Sequence, residues 1–130
     1  MKGIVFTTDE KMYVKDFENP LYQTVGEVVG GYIEIVNPRG LKDPFCFICN
    51  EEGLLKGLPI NLIGSVWYGT LEHGHPIVGN IVVMKEGMTD DGPDIVGLTD
   101  AEIQQIKAMA TEYSVGNIRD LENEEVIEGG

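Results

Sequence analysis

The chain has 130 residues, a length that fits one domain built around one core. With 42% apolar and 24% charged residues it reads as a folded protein and not a disordered one. Its formal charge of −13 is uneven: residues 1–70 hold 6 Lys and Arg against 9 Asp and Glu, and residues 71–130 hold 3 against 13. That field disfavours direct binding to nucleic acid or to an anionic membrane.

Lys2 to Thr7 is apolar and β-rich, Thr8 to Lys11 is a polar turn, and Met12-Tyr13-Val14 resumes the pattern. Together they predict an N-terminal hairpin. Asn19-Pro20 has the form of a helix start, with Asn as cap and Pro at the first helical position. Leu21, Tyr22, Val25, Val28 and Val29 then share one helical face, and Gly30-Gly31 ends it. Tyr32 to Val36 reads as a strand, and Asn37 to Gly40 as a turn.

Phe45 to Asn61 forms the centre of the pattern. Phe45, Cys46, Phe47 and Ile48 predict a buried strand. Asn50-Glu51-Glu52-Gly53 predicts a tight turn, after which Leu54 and Leu55 are expected to start a returning strand that ends at Gly57-Leu58-Pro59. Ile60 to Tyr68 has near-helical spacing and is entered through Asn61. Gly69 to Pro76 reads as a loop, Ile77 to Met84 as a second strong strand, and Glu86 to Gly97 as a Gly- and Asp-rich loop. Thr99-Asp100-Ala101-Glu102 is a capping-box pattern, opening a helix that runs to about Tyr113. Gly116 and Asn117 stop it. The expectation is a single compact α+β domain over residues 1–115, with a mostly antiparallel sheet and two to three helices, followed by an acidic tail over 116–130.

Few motifs carry chemistry. Cys46-Phe47-Ile48-Cys49 has CxxC spacing, but positions i and i+3 of a strand face opposite ways, so buried apolar thiols are expected. His73-Gly74-His75 has a metal-ligand spacing, yet the chain has no other His. A polar loop is the plainer reading, and no metal or cofactor is expected. Glu51 and Glu52 are neighbours on a turn and do not form an acid/base pair. There is no phosphate loop, no nucleophile motif and no interleaving of basic and aromatic residues.

Three pieces taken in order do carry a resemblance. They are Val29-Gly30-Gly31-Tyr32-Ile33-Glu34, then Cys49-Asn50-Glu51-Glu52-Gly53 leading through Gly57-Leu58-Pro59 to Asn61, then Ile77-Val78-Gly79-Asn80-Ile81-Val82-Val83. Over about residues 3–84 the chain resembles a family of small uncharacterised domains carried by phages, plasmids and related mobile elements. Leu54-Leu55-Lys56 departs from that family's pattern, which places a Lys sooner after the Gly. The resemblance implies a small α+β fold and a mobile-element setting, and it supplies no catalytic residues.

The expected function is therefore that of a non-enzymatic accessory protein that binds a host protein. The expected variant is an anti-defence inhibitor of a nucleic-acid-binding enzyme, such as a CRISPR nuclease or a restriction enzyme. Asp90, Asp91, Asp94, Glu122, Glu124 and Glu125 are the expected partner-binding residues, since carboxylates can occupy a Lys/Arg groove built for phosphates. The alternative is a module or sponge for a nucleotide signal, with Tyr32, Asn50, Glu51, Asn61 and Asn80 as the ligand-binding set. No membrane span or signal peptide is apparent, so a cytoplasmic protein is expected. Exposed hairpin edges leave room for a homodimer.

Overall fold

Seven strands form one sheet, and it is the sheet that sets the position of every exposed feature discussed below. The structure, a computed structural model, describes residues 1–70 and 74–122. The elements are β1 (Lys2–Phe6), β2 (Lys11–Asp16), α1 (Leu21–Val29), β3 (Ile33–Val36), β4 (Phe45–Asn50), α2 (Leu62–Tyr68), β5 (Ile81–Thr89), β6 (Gly92–Val96), α3 (Asp100–Tyr113) and β7 (Arg119–Asp120). The strand order is β3-β4-β5-β1-β2-β7, with β6 also paired to β5. Every pairing is antiparallel except that of β2 with β7. This is a single compact α+β domain.

The sheet is covered on both faces, and the sequence of β4 follows from that. Phe45, Phe47 and Cys49 face a core shared with Ile63 and Trp67 of α2 and with Ile103, Ile106 and Ala110 of α3. Ile48 faces the other way, into a second core with Val25 and Val29 of α1, Val5, Val82, Met84 and Phe17. A strand packed on both faces needs apolar residues at every position instead of alternate ones, and all six residues of β4 are buried.

Local chemistry explains the helix ends. Gly30 closes α1 in the left-handed region at φ 87, which costs a residue without a Cβ nothing. Pro20 takes the N-cap position of α1 with no side-chain cap, so Asn19 does not have the expected role. Asn61 caps α2, and Thr99 and Glu102 form the predicted capping box of α3. The Glu102 carboxylate also accepts from Lys85 Nζ at 2.8 Å. Burial opposes its ionisation, but the bonds from Lys85 and Thr99 outweigh that and hold the carboxyl below its ordinary value.

The structure corrects four expectations. No strand returns after β4: residues 51–57 wind through a turn in which Leu58 N reaches Gly53 O at 3.1 Å, and the strand neighbours of β4 are β3 and β5. The strand expected from Ile77 begins at Ile81; before it, Val78 bridges to Ile60 and Gly79 O accepts from the Asn61 amide, just ahead of α2. The loop expected over Glu86–Gly97 is mostly the β5–β6 hairpin. The segment after Gly116 is docked at its start: Ile118 is buried, Arg119–Asp120 pair with β2, and Glu122 accepts from Val14 N at 2.7 Å. The domain thus extends to residue 122 at least, past the expected boundary at 115.

Candidate functional site

Three of the residues expected to bind a ligand hold backbone groups of the domain itself. Asn61 is fully buried, donates to Phe6 O and Gly79 O at 3.0 Å each, and accepts from Gly64 N at 2.9 Å. Asn50 donates to Val29 O and accepts from Glu52 N, fastening the end of α1 to the turn after β4. Asn80 accepts from Thr8 N at 3.2 Å and donates to Val28 O at 3.5 Å. Tyr32 and Glu51 are exposed.

A groove of about 530 Å³ runs along one side of the sheet. Glu34 and Val36 of β3, Cys49 and Asn50 of β4, and Glu51, Leu54 and Leu55 of the turn line one part of it. Tyr68, at the end of α2, and His75 to Val78 line the other. The groove gathers Asn50 and Glu51 from the expected ligand set, but not Tyr32, Asn61 or Asn80. Among the described residues no lysine or arginine lines it. His73 lies outside the described residues. Among the described residues no group of three or more His, Cys, Asp or Glu could hold a metal ion.

A smaller groove, of about 230 Å³, lies between α2 and the end of α3, lined by Leu62, Ile63, Val66, Tyr113 and Ile118 with Thr7, Glu10 and Ser114. Glu10 and Val115 take positive φ values of 60 and 54, an uncommon backbone state for residues other than glycine. No sequence pattern announced this groove.

The acidic residues separate into two places. Asp90 and Asp91 sit at the turn of the β5–β6 hairpin, and Asp94 follows on β6, accepting from Ile95 N at 2.7 Å. Glu122 is on another element, next to β2, where it and Asp120 flank the buried Lys107 ammonium at 3.2 Å each. Glu122 therefore secures the C-terminal segment to α3 and is not part of the hairpin cluster. Glu124 and Glu125 lie outside the described residues.

Both thiols are buried on opposite faces of β4, and both are free. Burial pushes each up to about 12, with Glu86 adding to the effect at Cys46 and Glu34 at Cys49. The thiolate is the reactive form. Native protein at pH 8 is thus expected to react with iodoacetamide at least about tenfold more slowly than the urea-unfolded chain. Equal rates would contradict inert, buried thiols.

The architecture is that of a small three-layer α+β domain with two surface grooves and an acidic hairpin. The family model for a domain of unknown function, DUF3846, matches residues 1–111, and the chain belongs to that family. No curated protein and no solved structure matches it. Among the described residues no helix is long and apolar enough to cross a membrane.

Proposed function

We propose that this domain is a non-enzymatic accessory protein of a phage or mobile element that docks on a basic surface of a host protein. Its role in this reading is anti-defence inhibition of a nucleic-acid-binding enzyme, and it acts in the cytoplasm. The observation that carries the reading is the β5–β6 hairpin. From Gly87 onward the only strand partner of β5 among the described residues is β6, so the hairpin forms a two-stranded ribbon at the margin of the sheet. Glu86, Asp90, Asp91 and Asp94 lie on it, and residues 86–95 contain no Lys or Arg. None of the four carboxylates has an ion pair among the described residues. Met88, between them, is 78% exposed. Carboxylates carried on a hydrogen-bonded ribbon can occupy a groove that otherwise takes phosphates, and the exposed methionine adds an adaptable apolar contact.

The test is a pull-down with the tagged protein from host lysate at low and at high salt, with the bound proteins identified. The wild type is expected to hold a basic nucleic-acid enzyme at low salt and to release it at high salt. The triple variant D90N/D91N/D94N is expected to lose it at both. Retention of the same partner by the triple variant, or binding indifferent to salt, would overturn the reading. The nucleotide-sponge alternative has weaker support, because Asn61 and Asn80 are engaged with backbone and, among the described residues, the larger groove offers phosphate no lysine or arginine.

A further inference from the structure

We propose that the open edge of β3, with the groove beside it, takes up an extended segment of a partner protein in which basic and apolar residues alternate. This surface is distinct from the β5–β6 hairpin and does not depend on the role proposed for it.

Among the described residues β3 has a strand neighbour on one side only. Glu51 N donates to Tyr32 O at 2.8 Å, which sets the phase of the antiparallel ladder. Backbone groups of Glu34 and Val36 therefore point to β4, and those of Ile33 and Ile35 point to the open side. Natural edges are commonly blunted by Lys, Pro or a bulge. The four residues of β3, Ile-Glu-Ile-Val, include neither Lys nor Pro, and they pair with β4 in unbroken register. A strand added here would meet unpaired donors and acceptors of matching period.

The side chains specify what that strand should carry. Glu34 and Val36 lie on the α2 side of the sheet, where the groove of about 530 Å³ begins. Ile35 lies on the opposite face and is 45% exposed. Successive residues of an added strand would thus face Glu34 and Ile35 in turn, so a basic residue followed by an apolar one is the complementary pattern. Farther along the groove Glu51 adds a second carboxylate, and Leu54 and Leu55, 65% and 89% exposed, offer apolar surface. Neither Glu34 nor Glu51 has an ion pair among the described residues. A second copy of this chain would set carboxylate against carboxylate, at −13 per copy. The charge therefore selects a basic partner over self-association.

Binding can be measured by fluorescence anisotropy with a labelled eight-residue peptide of alternating lysine and valine, and with its glutamate–valine counterpart as control. The wild type is expected to bind the lysine peptide saturably and to ignore the glutamate peptide. Ile35→Pro removes the outward amide and leaves the ladder to β4 intact. Glu34→Lys reverses an exposed charge without touching the core. Each is expected to weaken binding at least tenfold, with urea midpoints confirming that both variants fold. The triple variant D90N/D91N/D94N is expected to bind within twofold of wild type. Undiminished binding by either β3 variant, equal binding of the glutamate peptide, or loss of binding in the hairpin variant would each overturn the proposal. So would sedimentation showing a dimer that Ile35→Pro dissociates, since the occupant would then be a second copy.

Discussion

Asn61→Ala is expected to destabilise the domain by about 3 kcal/mol or more, read as a lower urea midpoint at unchanged slope. The side chain is fully buried and joins three parts of the chain that are distant in sequence. Its amide hydrogens bind the carbonyl at the end of β1 and the Gly79 carbonyl just before β5, and its oxygen caps α2. Loss of an N-cap costs about 1 kcal/mol. Each buried carbonyl left without a donor adds about 1–3 kcal/mol, because water cannot replace the amide. Asn61→Asp keeps the capping oxygen, removes both donors and buries a carboxylate, so it should be at least as damaging. A loss below about 1 kcal/mol for Asn61→Ala would mean that water or a shifted loop satisfies those carbonyls, and would return Asn61 to the candidate ligand set.

Trp67→Ala should cost about 4 kcal/mol, whereas Trp67→Phe should cost about 1–2 kcal/mol. Trp67 is fully buried between α2 and the sheet, with its ring edge-on to Phe6 at 5.2 Å. Alanine would leave a large cavity in the principal core. The space cannot be taken up from the side of Gly40, whose amide is bonded to Trp67 O and whose backbone lies so close that a Cβ there would stand 2.7 Å from Trp67 Cα. Phenylalanine retains the edge-to-face contact with Phe6 and loses only part of the volume. It also removes an indole N–H that has no hydrogen-bond partner among the described residues. Trp67 is the one tryptophan of the chain, so emission of the wild type follows unfolding directly; far-UV circular dichroism serves for the variants. Equal losses for the two substitutions would show that the indole nitrogen finds a partner in solution.

The parts of the fold that could be read from the sequence were those whose burial leaves a simple mark. The Phe45–Ile48 run belongs to a strand covered on both faces, and the capping box of α3 and the Asn61 cap of α2 are local patterns that need no tertiary information. The hairpin β5–β6 was illegible for the converse reason. Gly87, Asp90, Asp91, Gly92 and Pro93 have loop composition, and the strand conformation there is maintained by pairing of the two arms at the sheet margin. Leu54 and Leu55 misled in the opposite direction: two leucines suggested a strand, yet they are exposed on a turn whose shape is set by Asn50 and Gly53. The two-residue β7 is too short to leave a pattern, and it depends on Ile118 and Lys107 for its place. At the candidate sites, Asp90, Asp91, Asp94 and Glu51 are candidates in the sequence by charge and polarity alone. The sequence could not show that Asn50, Asn61 and Asn80 serve the backbone across the fold, because at least one partner of each, Val29, Phe6 and Thr8 respectively, lies more than 20 residues away. The open edge of β3 follows from strand order, which no local pattern encodes.

The short pairing of β7 with β2 gives the end of the described chain a protective role. The matched family region stops at residue 111, inside α3, whereas Arg119–Asp120 and the Asp120 and Glu122 carboxylates that pair with Lys107 lie beyond that limit. A relative that ended at the same point would display β2 as a bare rim, ready to pair with whatever strand it met. In this protein the residues that follow the matched region act as a selvedge, finishing one border of the fabric while, among the described residues, the border at β3 stays unhemmed.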